Sequence, residues 1–175
     1  MKKTFFATLL ILIIATTSAF AVKDSFDVTT KIEGIGLMKV SALEIKDSTA
    51  QAYADAKEFG NLGISTSGDQ SFFAYLTTLS NNRSGFEVTM LATPMTSTVG
   101  SATSYIDYTV ECGLDKITTA GATTTTTAVK IIDVDSLAAL TGDSQQIRLS
   151  VDKTTFDAAV SGEYVGTVTF NYKAT

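Results

Sequence analysis

Apolar and polar residues alternate with a period of two along much of this chain, and no other feature of the sequence restricts its fold so strongly. Apolar side chains occupy every even position of 86–92 and every odd position of 147–151. Successive side chains of a β-strand point to opposite faces, so this spacing predicts strands with one buried face. Turn-forming clusters at 81–85, 141–144 and 161–162 separate such stretches. The pattern predicts an all-β chain folded as a single antiparallel β-sandwich domain.

The first residues of the chain have the organisation of a secretory signal. Lys2 and Lys3 precede an almost wholly apolar run at 5–14, and Ala19-Phe20-Ala21 has the small-x-small pattern of a cleavage site. A membrane-spanning helix needs about 20 apolar residues, so the run is short for an N-terminal anchor, which is the alternative. We therefore expect residues 1–21 to be removed between Ala21 and Val22 and the chain to be exported. Loss of the two lysines changes the net charge from −5 to −7.

Composition excludes several classes of function. The chain of 175 residues has no His, no Trp and one Cys. His is the commonest general base and metal ligand, and one Cys cannot build a zinc or iron–sulfur site, so we expect no enzyme, no metal and no cofactor. The acidic balance argues against a nucleic-acid partner. Cys112 lies on the inward face of the alternating stretch 106–112, which predicts a buried, inert thiol; intermolecular pairing or reactivity is the alternative.

Three stretches are less regular. Residues 48–59 are rich in Ala and predict either a short helix closed by Gly60 or a strand with an Ala-rich face. The Thr-rich run 118–128 is of low complexity and predicts a loop or an exposed edge. Residues 133–140 are compatible with one helical turn.

Both ends of the mature chain read as strands. In the C-terminal stretch, the even-numbered residues from Tyr164 to Ala174, which are apolar or Gly, share one face, and this face must contact a core. The N-terminal stretch 22–40 alternates from the first mature residue, without an interrupting Pro. A chain terminus frays unless it pairs with something, so this segment needs a sheet edge, either its own or that of another molecule.

Three stretches carry a resemblance to a known family. They are the alternating extension 22–33, the polar turn, Gly, strand and Pro block at 82–94, and the Gly-x-Tyr-x-Gly-x-Val ending at 162–168. Together with the signal sequence, they resemble the major pilins of the alpha-type, colonisation-factor fimbriae of Gram-negative bacteria, which are assembled by the chaperone–usher route. The family tends to have a Pro just after its N-terminal strand, where this chain has Gly34-Ile35-Gly36, and its members usually lack Cys.

The resemblance implies an incomplete immunoglobulin-like β-sandwich that a neighbouring subunit completes with its N-terminal donor strand. It divides the chain into a donor-strand extension at 22–36 and one pilin domain at 37–175. The implied donor side chains are Phe26, Val28, Thr30 and Ile32, with Gly34 at the narrow part of the groove. The implied acceptor groove has Tyr164, Val168, Phe170 and Tyr172 in its floor.

The resemblance also implies a function and partners. The chain would be the structural major subunit of a surface fimbria, a helical homopolymer that supports bacterial adhesion. Its partners would be copies of itself, a periplasmic chaperone, an outer-membrane usher, a tip adhesin and a host-cell receptor. One alternative is a receptor-binding adhesin domain of the same sandwich type. Another is a secreted carbohydrate-binding β-sandwich, in which Tyr53, Tyr75 and Tyr105 would replace the Trp residues that usually stack on sugars.

Overall fold

A computed structural model describes residues 29–66, 70–121 and 126–175 of the chain. The predicted signal peptide at 1–21, its cleavage site at Ala21 and Val22, and the donor positions Phe26 and Val28 lie outside these residues. Glu33–Thr175 forms one compact unit, and Thr29–Ile32 belongs to a separate unit. The fold described below is that of Glu33–Thr175.

Strands dominate the described residues of this unit, which also contain two short helices. The strands are β1 (Gly36–Ser41), β2 (Gln70–Ser80), β3 (Phe86–Ala92), β4 (Met95–Val99), β5 (Ala102–Ile106), β6 (Tyr108–Cys112), β7 (Asp115–Thr118), β8 (Val129–Val134), β9 (Thr141–Val151) and β10 (Val168–Ala174). The helices are α1 (Ala50–Asp55) and α2 (Lys153–Asp157).

The strands form three sheets in which all neighbours run antiparallel. The largest sheet has the order β1-β2-β9-β6-β7, the second has the order β10-β3-β8, and β4 and β5 form a hairpin of their own. Strands make up 49% of the structure and helices 8%, which confirms the all-β prediction and is consistent with a β-sandwich.

The two larger sheets share one apolar core. Along β3, every second residue from Phe86 to Ala92 is buried, as the alternation predicts. Val110 and Cys112 of β6 belong to the same buried cluster. Cys112 is fully buried, so its predicted inward position is confirmed.

The Ala-rich stretch contains a helix rather than a strand. The Thr49 side chain accepts a hydrogen bond from the Ala52 backbone N–H (3.1 Å) and caps the N-terminus of α1. The Lys39 ammonium of β1 donates to the carbonyl of Tyr53 (2.7 Å), in the last helical turn, and to that of Ala56 (2.9 Å), beyond the last helical residue. The helix therefore ends before Gly60, and the prediction that this glycine closes it was wrong. Lys39 is the physical reason, because its ammonium occupies the carbonyls that a further turn would use.

The stretch 133–140 forms no helical turn, so that prediction was also wrong. Strand β8 continues to Val134, which lies opposite Phe86 in the antiparallel ladder, and residues 135–140 are irregular. Pairing with β3 prevails over local helix propensity here. In the Thr-rich run, β7 ends at Thr118, and residues 119–121 and 126–128 are loop, as predicted.

Both terminal strands are shorter than the alternation predicts. The ladder of β1 begins at Gly36, opposite Ser80, and residues 29–35 before it are not in a strand. At the other end, β10 begins only at Val168, because the preceding residues turn towards β4, where Val165 forms an isolated bridge with Thr96.

Candidate strand-acceptor groove

Strands β1 and β10 are the edges of two different sheets and lie side by side. Within the described ranges, each has one strand neighbour: β1 pairs with β2, and β10 pairs with β3. The two edges meet where Gly36 of β1 contacts Tyr172 of β10, and further along they enclose an open cavity of about 1160 Å³.

The walls and floor of the cavity are mainly apolar. Val168 and Phe170 of β10 form one wall together with Tyr164, and Val40 of β1 lies on the other side. The floor consists of core side chains from β2, β6 and β9: Ala74, Tyr108, Val110, Ile147 and Leu149. Tyr164, Val168 and Phe170 are each only partly buried, so the groove leaves apolar surface open to solvent.

The backbone of β10 presents hydrogen-bonding groups to the groove. Thr167 accepts from the Thr93 N–H (2.9 Å), and the Thr175 N–H donates to Gly85 (3.2 Å), so odd-numbered residues pair with β3. Backbone groups alternate sides along an antiparallel strand, and therefore Val168, Phe170 and Tyr172 direct theirs to the open edge. In these three residues the side chain therefore points to the core, and the backbone N–H and C=O groups point to the open edge of the sheet.

The open edge of β1 is covered at its far end by the segment that follows α1. The backbone N–H of Phe59 donates to the carbonyl of Val40 (2.9 Å), and Glu58 forms an isolated bridge with Ser41. Phe59 and Ile64 then line the cavity and pack against the core. The segment 58–64 is therefore a boundary of the groove.

Tyr172 closes the opposite end of the groove. Its ring stacks on Phe86, with centroids 5.0 Å apart, and its hydroxyl lies 3.0 Å from the Ser80 hydroxyl of β2. A Cβ atom on Gly36 would lie 2.9 Å from the Tyr172 hydroxyl, so the ring touches the backbone of β1 directly. The Tyr172 side chain thus links the three-stranded sheet to the five-stranded sheet by a hydrogen bond.

The Gly-x-Tyr-x-Gly motif fits the passage of the chain across β4. A Cβ atom on Gly166 would lie 3.0 Å from the carbonyl oxygen of Thr93, and one on Gly162 would collide with the Ser97 hydroxyl. Between these two glycines, Val165 exchanges backbone hydrogen bonds with Thr96 (3.0 and 3.1 Å). The glycines allow this close approach, which leaves the intervening Tyr164 at the cavity.

Two titratable side chains of β6, Tyr108 at the cavity and Cys112 in the core, are buried. The Tyr108 hydroxyl donates to the carbonyl of Thr93 (2.7 Å), and burial raises the pKa of this phenol to about 12. Burial, reinforced by the negative charges of Asp115 and Asp143, raises the pKa of the Cys112 thiol to about 11. Among the described lining residues, Glu163 is the one carboxylate. The site therefore suits an apolar occupant with a hydrogen-bonding backbone.

Charged side chains lie on the outer face of the β10 sheet. Lys173 and Lys130 each place their ammonium 3.2 Å from a carboxylate oxygen of Glu87. Hydrogen bonds from these two lysines lower the pKa of the Glu87 carboxyl. The outward positions of β10 thus differ in chemistry from its groove-facing positions.

The structure brings together most of the predicted acceptor residues. Tyr164, Val168 and Phe170 line the cavity, whereas Tyr172 is not among its lining residues and contacts Gly36 beside it. Sequence reasoning missed Tyr108 and Phe59. The period-two pattern that placed Cys112 inward also places Tyr108 inward, whereas no signal in the sequence marks Phe59.

The described donor positions lie at or before the start of the compact unit. Thr30 and Ile32 are not in a strand and are exposed, Ile32 by 80%. A Cβ atom on Gly34 would contact nothing within 4 Å. Asn81 fixes the backbone next to Gly34, because its side chain accepts from the Ile35 N–H (2.6 Å) and donates to the carbonyl of Glu33 (3.0 Å).

Comparisons of the chain with protein-family models, curated protein sequences and solved structures give no match. In the described part of the chain, no helix has the length and apolar character needed to cross a lipid bilayer.

Proposed function

We propose that this chain is the structural major subunit of a surface fimbria and that it polymerises by donor-strand exchange. The observation that carries the proposal is the apolar groove between two sheet edges, together with an alternating segment at the start of the predicted mature chain. A strand entering the groove would bond to the open edge of β10 and bury alternate side chains against the core. The fold would then be an immunoglobulin-like sandwich completed by a neighbour.

The energy available from such insertion is comparable to the stability of a domain. Phe26, Val28 and Ile32 would contribute roughly 1.5–3 kcal/mol each on burial, or about 5–9 kcal/mol together. A whole domain is stable by about 5–15 kcal/mol. Ladder hydrogen bonds to the edge of β10 would add to this sum. A subunit with an empty groove would therefore be weakly stable and prone to aggregate.

The proposed partners are those that the resemblance to fimbrial pilins implies. A periplasmic chaperone would cover the groove before assembly, an outer-membrane usher would deliver the subunit to the growing fibre, and a tip adhesin would complete the organelle that contacts host cells. The carbohydrate-binding alternative loses one of its three aromatic candidates, because Tyr53 is only 6% exposed and cannot stack on a sugar.

Electrophoresis of unheated fibre preparations in detergent, together with electron microscopy, tests the proposal. We expect a ladder of oligomers that collapses to one band on boiling, and filaments in the micrographs. Ile32→Asp should shorten the ladder, because insertion would bury an unpaired carboxylate. Leu43→Asp is a matched control, since Leu43 is exposed to the same degree (79%) but lies outside the donor segment. A ladder of normal length from the Ile32→Asp variant would contradict the assignment of the donor segment.

Removal of residues 22–33 is the complementary test. The shortened chain should be monomeric and aggregation-prone, and a synthetic peptide of residues 22–36 should restore its solubility. Peptides carrying Ile32→Asp should restore less. If the shortened chain still forms native filaments, polymerisation uses another interface and the donor-strand proposal is refuted.

A further inference from the structure

The groove has one end that is closed by a specific contact between the two larger sheets. Tyr172 belongs to β10, yet its hydroxyl lies 3.0 Å from the Ser80 hydroxyl of β2 and its ring lies against the backbone of Gly36. Gly36 and Ser80 are cross-strand partners in the β1–β2 ladder. The Tyr172 ring thus fills the position between β1 and β10 that an inserted strand would need.

The ring is held firmly in this position. It stacks on Phe86 of β3, which is 3% exposed, at an interplanar angle of 23°. Ser80, its hydrogen-bond partner, is fully buried and also accepts from the backbone N–H of Asn82 (3.2 Å). Displacing the ring would expose an aromatic core contact and leave a buried hydroxyl with one partner fewer.

We infer that Tyr172 is a specificity-determining residue that stops an inserted strand after Phe170 and thereby fixes the length and register of the strand that the groove accepts. The inference rests on the proposed function and deepens it. Within β10, Val168 and Phe170 precede Tyr172 on the groove-facing side, so the open edge offers the backbone groups of these two residues to an inserted strand.

The backbone of β10 gives this inference a direct readout. Val168, Phe170 and Tyr172 all direct their N–H groups to the open edge, but only the first two border the cavity. An inserted strand that stops at Tyr172 protects the amides of Val168 and Phe170 and leaves that of Tyr172 without a new partner. A strand that passes Tyr172 protects all three.

Amide hydrogen exchange, measured residue by residue in polymers of the full mature chain and in the unassembled subunit, tests this difference. We expect exchange at Val168 and Phe170 to slow on the order of 100-fold on assembly, and exchange at Tyr172 to change by less than about threefold. Equal slowing at Tyr172 would overturn the inference while leaving donor-strand exchange intact. No slowing at Val168 and Phe170 would instead overturn the proposed function and the inference with it.

Two variants distinguish the effect of the Tyr172 ring from that of its hydroxyl. Tyr172→Leu opens the closed end while keeping an apolar side chain, so the slowing should extend to the amide of residue 172. Tyr172→Phe keeps the ring and loses only the bond to Ser80, so the exchange pattern should stay that of the wild type. An unchanged pattern in polymers of Tyr172→Leu would show that the ring does not stop the strand.

Discussion

Gly166 provides the sharpest test of how the wall of the groove is built. A Cβ atom added there would lie 3.0 Å from the carbonyl oxygen of Thr93 and 3.1 Å from the backbone nitrogen of Met95, closer than relaxed contacts allow. These are backbone atoms, so no side-chain rotation relieves the contact. Thr93 is also held in place, since its N–H donates to Thr167 (2.9 Å) and its hydroxyl accepts from the Thr167 N–H (2.9 Å).

Gly166→Ala should therefore lower the free energy of unfolding by about 1–3 kcal/mol, as overpacking does in a close-packed site. For a domain of this size, each 1 kcal/mol shifts the melting temperature by about 2–4 °C. Gly60→Ala is the matched control, because a Cβ atom on Gly60 meets nothing within 4 Å. The control should be neutral or more stable by about 0.4–1 kcal/mol, since Ala restricts the unfolded chain.

The assay is urea unfolding followed by circular dichroism, with wild type and both variants in the same assembly state. Gly166→Ala should lower the transition midpoint, and Gly60→Ala should leave it unchanged or raise it. Equal midpoints for Gly166→Ala and Gly60→Ala would refute the conclusion that the backbone of β4 limits residue 166 to glycine.

Three further predictions concern the core and the turns. Thr78→Val should raise the free energy of unfolding by about 1 kcal/mol, because the buried Thr78 hydroxyl has no hydrogen-bond partner among the described residues. Thr77→Val should lower the free energy of unfolding, because the Thr77 hydroxyl lies 2.9 Å from the Ser144 hydroxyl. Denaturant titration compares the two variants, and equal effects would contradict the difference in hydrogen bonding. The free energy of unfolding should fall as pH rises from about 9 to about 11, because the Cys112 thiol loses its proton in the unfolded chain while burial keeps it protonated in the folded chain. Melting curves of Cys112→Ala across this pH range should show a smaller fall in stability. Gly85→Ala should lower the free energy of unfolding by at least about 2 kcal/mol more than Gly100→Ala does. This difference is about the cost of overpacking a close-packed site. Both glycines have positive φ (87° and 64°), but only at Gly85 would a Cβ atom collide with backbone; similar melting temperatures for the two variants would refute this.

The parts of the fold that follow from side-chain alternation could be predicted from the sequence. The buried face of β3 and the inward position of Cys112 are examples, because a period of two specifies which face of a strand meets the core. Alternation also predicts that Tyr164, Val168 and Phe170 share one inward face, whereas their assignment to an acceptor groove comes from the family resemblance; all three line the cavity.

The remaining features depend on contacts between residues far apart in the sequence. The end of α1 is set by Lys39, the cover over β1 by Phe59, and the closed end of the groove by the bond between Tyr172 and Ser80. The local sequence around each of these residues does not indicate which distant residue it will contact. The late start of β10 has a similar cause, because the bridge between Val165 and Thr96 draws the preceding residues towards β4.

The open edge of β10 has a mechanical consequence. In a fibre of the proposed kind, a pull along the fibre axis acts along the strand that joins two subunits, parallel to β10. The hydrogen bonds offered by Val168 and Phe170 would then be loaded together in shear rather than broken one after another, as in peeling. Two subunits would separate only when the whole ladder and its apolar contacts fail at once, so a short stretch of noncovalent pairing could carry a sustained load.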